Sequence, residues 1–296
     1  MMHHRHSFRR LLCTASLLLL TAVGARASEQ HPRLFCDATR MDAIRAAAMV
    51  AGSHHAQALT LLRERVEASI STPDDPATAT VEGETELSAY GWTTDSENWG
   101  YPRSYFAREA AFLCRYASTP TEARAYARKA YAALRSVYDG PHVDRKPDDG
   151  YGLSRAMMCL GFGLAYDRCH PAWTEAERTW IRGKLVDALT AWPGYTHRNL
   201  GGERESNWVA VCRAGELVAL LAIGAEDTRA ERYGFLIGEL ERHLEAGYGD
   251  LGVSQEGSGH LEYGSRFLAT AVLASRSARW LVEFQRPARR PAPSFP

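Results

Sequence analysis

SNWVAVCRAGELVALLAIGA (Ser206–Ala225) decides how the rest of this chain is read. Trp208, Val211, Cys212, Gly215, Val218, Ala219 and Ala222 recur at three- and four-residue intervals, which is one stripe of an α-helix. The spacing predicts a strongly amphipathic helix with that stripe on a core. Ser206 is the expected N-cap, with Asn207 in the first turn; capping by Asn207 itself is the alternative.

The same pattern repeats on both sides. Upstream come DATRMDAIRAAAMV, with Asp37 as N-cap, then HHAQALTLLRERVEASI, SYFAREAAFLCRYAS, TPTEARAYARKAYAALRSVY, YGLSRAMMCLGFGLAYDRC and WTEAERTWIRGKLVDALTAW. Thr119, Pro120 and Glu122 form a capping box with proline in the first helical position, and Thr174 with Glu177 forms a second. Downstream come DTRAERYGFLIGELERHLEAGY and GHLEYGSRFLATAVLASRSARWLVEF. No alternating β-branched run flanked by hairpin turns occurs. The expectation is an all-α fold of antiparallel helical hairpins. No fixed motif recurs, which argues against a TPR or ankyrin array. Two long loops are expected. One runs from about Ser71 to Arg103 and carries Trp92, Asn98, Trp99 and Tyr101; the other is PGYTHRNLGGERE, ahead of Ser206.

Composition narrows the function classes. The 296 residues carry 35 basic and 35 acidic side chains, so net charge gives no footprint for nucleic acid, and no basic cluster stands in the body of the chain. MMHHRHSFRR is basic, LLCTASLLLLTAVG is apolar, and ARA precedes Ser28. This is the pattern of a signal peptide over residues 1–27, cleaved after Ala27, which predicts a periplasmic or secreted protein with no membrane contact after cleavage. Of the six cysteines, Cys36, Cys114, Cys159, Cys169 and Cys212 lie beyond that segment, scattered on helical stretches without a CxxC spacing. They read as buried thiols with at most one pair, and neither a metal site nor a disulfide framework is indicated. The 28–285 body ends in QRPARRPAPSFP, whose abrupt arginine and proline content reads as a disordered or frame-shifted tail over 286–296.

Chemistry-bearing residues gather in three places. In GDLGVSQEGSGHLEYGSRFL (Gly249–Leu268), Glu256 precedes a helix start and His260 and Tyr263 project from its first turns. The backbone N–H groups and dipole there favour an anionic group. A glycine-rich loop with a capped helix and a core tyrosine is the plainer reading. Asn207 offers an amide at a second helix start, and Trp208 either packs in the core or stacks on a sugar. His197 and Arg198 in the second long loop, and Trp99 and Tyr101 in the first, are exposed contacts for a polar ligand or ordinary loop residues. There is no P-loop, nucleotide fingerprint, nucleophile elbow or HExxH, so no cofactor is indicated.

Several segments together resemble heparinase II/III-like and related alginate lyases. HPRLFCDATRMDAIRAA is similar to the family's leading HPRLLF segment, AYDRCHPAWTEAERTWIRGKL to its YDWL…LTEEER…I hairpin, SNWVAVCRAGELVALLAIG to its NW…V…G…ALAL helix, and GVSQEGSGHLEYGSRFL to its EGxGYxxYG segment. They follow the family's order from about His31 to Phe267. The resemblance implies an incomplete (α/α) toroid, β-elimination on an anionic, uronate-containing polysaccharide of heparin-, heparan- or alginate-like kind, and no cofactor. It also implies a C-terminal β-sandwich, expected to be missing if the chain stops here; members draw further active-site groups, often a histidine, from that part, so a chain ending here is expected to be impaired. By position, Asn207 corresponds to the carboxylate-neutralising asparagine, Tyr263 to the acid or base, and Glu256 to a residue that orients its neighbours. His260 stands where an aromatic is usual, and Trp208 where some members have histidine.

Such a reaction removes the C5 proton of a uronate and expels the C4 oxygen. Donors must neutralise the carboxylate and stabilise the enolate-like anion, while a base and an acid move the protons. Two alternatives stand beside it. One is a glycoside hydrolase on a helical toroid, needing a second carboxylate such as Glu205, Glu262 or Asp95 beside Glu256. The other is a non-catalytic sugar-binding remnant. A plain helical scaffold accounts for the helices but not for the polar loops. Oligomeric state is not legible in the sequence.

Overall fold

The computed structural model describes residues 31–69, 100–139, 153–199, 206–224, 230–248 and 257–278. Local chemistry sets where its helices start. Asp37 accepts from the backbone N–H of Arg40 at 2.8 Å and opens α1, Ala38–Ala48. After α2 (His54–Ser69) and α3 (Gly100–Tyr116), Thr119 caps α4, Pro120–Asp139. There the Glu122 N–H donates to Thr119 Oγ1 at 3.2 Å, while the Glu122 carboxylate accepts from Ser118, one residue ahead of the usual partner. α5 covers Leu153–Cys169 and a 3₁₀ turn follows at His170–Ala172. Thr174 and Glu177 exchange both bonds of a capping box, at 2.7 and 3.3 Å, and open α6, Glu175–Asn199. Ser206 accepts from Trp208 N–H at 3.3 Å and opens α7, Asn207–Ile223. α8 (Ala230–Gly247) and α9 (Ser258–Ser277) complete the set.

The protein is all-α among the described residues. α3, α5, α7 and α9 pack side by side in chain order as an inner row; α4 lies on α3, α6 on α5 and α8 on α7. The connections between α3 and α4 and between α5 and α6 are short, and the close approaches of Gly161 to Ser104 and of Gly163 to Ala219 set matching positions of the inner helices side by side, as for helices running in one direction. Small residues bring the inner helices close. A Cβ on Gly215 of α7 would stand 2.3 Å from the Ala156 carbonyl oxygen of α5, and one on Gly161 of α5 would stand 2.5 Å from Ser104 Oγ of α3. Ser104 Oγ uses the same close approach to donate to the Met157 carbonyl.

α7 departs from the single-stripe expectation. Asn207 and every residue from Val209 to Ile223 is buried, and Trp208 alone is half-buried. With α5 on one flank, α9 on the other and α6 and α8 behind, the helix has no solvent face, so its hydrophobicity runs all round. Its charged residues are buried with it. Glu216 is fully buried between Arg213, at 3.0 Å, and Arg232 of α8, and Arg213 also reaches Glu239 at 3.3 Å. Burial pushes the Glu216 carboxyl up, against the pull of both guanidiniums.

The chain ahead of α1 fastens across the row. Asp167 of α5, fully buried, accepts from His31 Nδ1 and the Arg33 N–H at 2.8 Å each and from the Leu34 N–H at 2.9 Å. Phe35 N–H then donates to Ser277 Oγ at the end of α9, at 3.0 Å.

Two loop expectations are corrected. α6 continues across Pro193 to Asn199, so His197 and Arg198 are on a helix; proline inside a helix removes one hydrogen bond and need not end it. α3 starts at Gly100, so Tyr101 belongs to its first turn. The continuation of α9 towards Phe284 lies outside the described residues, as do residues 1–27, expected as a signal peptide, and the 286–296 segment expected as a tail. Cys36, Cys114, Cys159, Cys169 and Cys212 are buried free thiols.

Candidate functional site

The starts of α7 and α9 meet at one end of the inner row. Asn207 is the first residue of α7, held there by the Ser206 cap, and a Cβ on Gly264 of α9 would lie 3.2 Å from Asn207 Cβ. The missing side chain at Gly264 is what lets the two helices close on the asparagine. The same point lies 3.6 Å from the hydroxyl of Tyr248, just past α8. An amide and a phenol from distant parts of the chain therefore flank one turn of α9.

His260 is four residues before Gly264, hence on the same face one turn nearer the helix start, and it is exposed. Tyr263 is half-buried on the adjoining stripe, with its ring edge-on to Phe267 at 5.2 Å. α9 begins after Gly257, whose φ of 90° favours glycine, and no side chain caps it among the described residues. Its first N–H groups and dipole thus add positive potential to the rim.

Asn207 and Gly264 come together, with Tyr263 and His260 on the same turns of α9. Trp208 is half-buried and packs on the core. Glu256 and Trp99, with Asp95 and Glu205, lie outside the described residues, and only the helical backbone is described at Tyr101, His197 and Arg198. Sequence reading passed over Tyr248 and its neighbour His243. His243 is buried at the end of α8, edge-on to Tyr248 at 5.6 Å. Their spacing at the end of a helix carries no motif; only the fold brings the Tyr248 hydroxyl to α9. It also passed over Arg103, in the first turn of α3 at the same end of the row. Arg103 is 1% exposed, and burial pushes its guanidinium down to about 9.

The arrangement can donate hydrogen bonds from an amide and phenols to an anionic or hydroxylated ligand at the helix starts. Among the described residues no group of His, Cys, Asp and Glu converges to hold a metal ion, and no helix is long and apolar enough to cross a membrane. No protein-family model matches the chain, and no curated protein matches it.

Proposed function

We propose that this chain is an exported polysaccharide lyase of the heparinase II/III-like kind, built on an incomplete (α/α) toroid and acting on a uronate-containing chain. The observation that carries the reading is the contact of Asn207 with α9 at Gly264, one residue from Tyr263 and beside the Tyr248 hydroxyl. In this reading the Asn207 amide donates to the uronate carboxylate, which makes the C5 proton acidic enough to remove. Tyr263, half-buried and near the start of α9, takes that proton or protonates the leaving C4 oxygen. Tyr248 is the second phenol in reach, and His260 on the rim contacts the sugar. The succession of hairpins and the parallel inner row support the toroid, and the basic, apolar and small-residue leader supports export.

The test is incubation with heparin, heparan sulfate, alginate, hyaluronan and chondroitin while ultraviolet absorbance is followed. Elimination leaves an unsaturated uronate that absorbs. New reducing ends without absorbance would show hydrolysis instead, and silence in both assays with retained sugar binding would leave a binding protein. Where turnover is found, Tyr263→Phe should lower it by about 10²-fold or more while sparing binding. Undiminished turnover removes Tyr263 from the proton transfer and points to Tyr248.

A further inference from the structure

We propose that a cavity at the other end of the inner row binds a small amphipathic anion, a single carboxylate carried on an aromatic or short aliphatic body. The cavity encloses about 480 Å³ between α1, α2, α3, α5 and α9, a volume within the ordinary range of small-molecule sites. It opens among the C-terminal halves of α3, α5 and α9, away from Asn207 and the starts of α7 and α9, and is independent of the lyase reading.

Its walls are apolar, with Phe35, Ile44, Leu59, Leu62, Phe112 and Leu164 among them. Two guanidiniums, Arg108 of α3 and Arg168 of α5, line the same space. Neither makes a hydrogen bond or ion pair among the described residues. Arg108 has the Tyr105 ring at 5.2 Å and Arg168 the Phe112 ring at 6.0 Å. Burial pushes both guanidiniums down, each is pushed further by its arginine neighbours, and Arg266 of α9 adds to the positive field at Arg108. The nearby carboxylates are already engaged. Glu109 is held by both Arg65 nitrogens, one at 2.9 Å, and Asp167 is occupied by His31, Arg33 and Leu34. Glu109, itself in the wall, and Asp167 still offset part of the charge at Arg108 and Arg168, but neither carboxylate bonds to them, and two cations facing a largely apolar space match a ligand that brings one carboxylate and fills the rest with hydrocarbon. The wall also holds backbone strain: Phe35 sits at φ 63°, a left-handed conformation uncommon for a non-glycine residue.

The experiment titrates the full chain with 4-phenylbutyrate and octanoate, and with their uncharged amides, by calorimetry and thermal shift. The expected result is saturable 1:1 binding of the acids and a raised Tm, with the amides at least tenfold weaker. Arg108→Gln and Arg168→Gln should each weaken the acids tenfold or more. Because Arg168 is deep enough for its loss to disturb folding, Ala58→Trp gives a second route. Ala58 is an exposed wall residue, and an indole there fills the cavity without altering charge; it should abolish acid binding and leave any polysaccharide turnover unchanged. No saturable binding of either acid at millimolar concentration, equal affinity for acids and amides, or unchanged binding in Ala58→Trp would each overturn the proposal.

Discussion

Tyr126 on α4 is buried against Glu67 of α2, to whose carboxylate its hydroxyl donates at 2.9 Å. Burial first, and the Glu67 hydrogen bond and charge second, push the phenol from 10.0 up to about 12. The folded state therefore holds this proton where the unfolded chain has released it, and stability falls as pH rises through that window. Denaturant midpoints should drop between pH 10 and 12 in the parent, and drop less steeply in Tyr126→Phe. Parallel curves for the two proteins would show that Tyr126 does not drive the loss. Residues of this kind also mark what the sequence makes legible. Asp37, Thr119, Thr174 and Ser206 bond to atoms two to four residues away, so their capping could be read from spacing alone. Asn207 against Gly264, or the Tyr248 hydroxyl beside them, depends on helices far apart in the chain, and no local pattern announces it.

At the scale of helices, α7 was readable as a helix but not as the centre of the molecule. Its stripe of Trp208, Val211, Gly215 and Val218 is real, yet Leu217, Leu220 and Leu221 on the other faces are buried as well. Periodicity identifies an amphipathic surface helix, whereas a helix flanked on all sides has none to show. Pro193 and Gly194 have the look of a helix stop after Trp192, yet α6 runs through both. The close approach of α5 and α7 makes a sharp prediction. Gly215→Ala would drive a methyl to 2.3 Å from a backbone oxygen that cannot swing away, and should cost about 1–3 kcal/mol. Gly234 of α8 has open space around it, so Gly234→Ala should be neutral or stabilise by up to about 1 kcal/mol. Urea midpoints compare the two directly; equal shifts would mean that the row relaxes around Gly215 more easily than its backbone contacts suggest.

Across the whole molecule, stacked hairpins by themselves make contacts only between neighbours, and such arrays can fray from either end. Residues 31–36 change that. They tie Asp167, 133 residues from Leu34, and Ser277, 242 residues from Phe35, into one set of bonds. Asp167→Ala removes the acceptor of three buried donors and should cost at least about 3 kcal/mol. Hydrogen exchange should then rise in α9 as well as in residues 31–36; protection of α9 left intact would mean that the segment rides on the fold without closing it. The same strap sets an order of events during synthesis. The segment emerges well before its partners: the carboxylate follows more than a hundred residues later, and the serine that completes the strap is nearly the last described residue to appear. Until residue 167 is made the segment has nothing to hold, and the strap stays incomplete until Ser277 of α9 follows, so the chain is exposed to premature association in that interval. A folding factor, or transfer across a membrane before folding, would have its greatest effect in that interval.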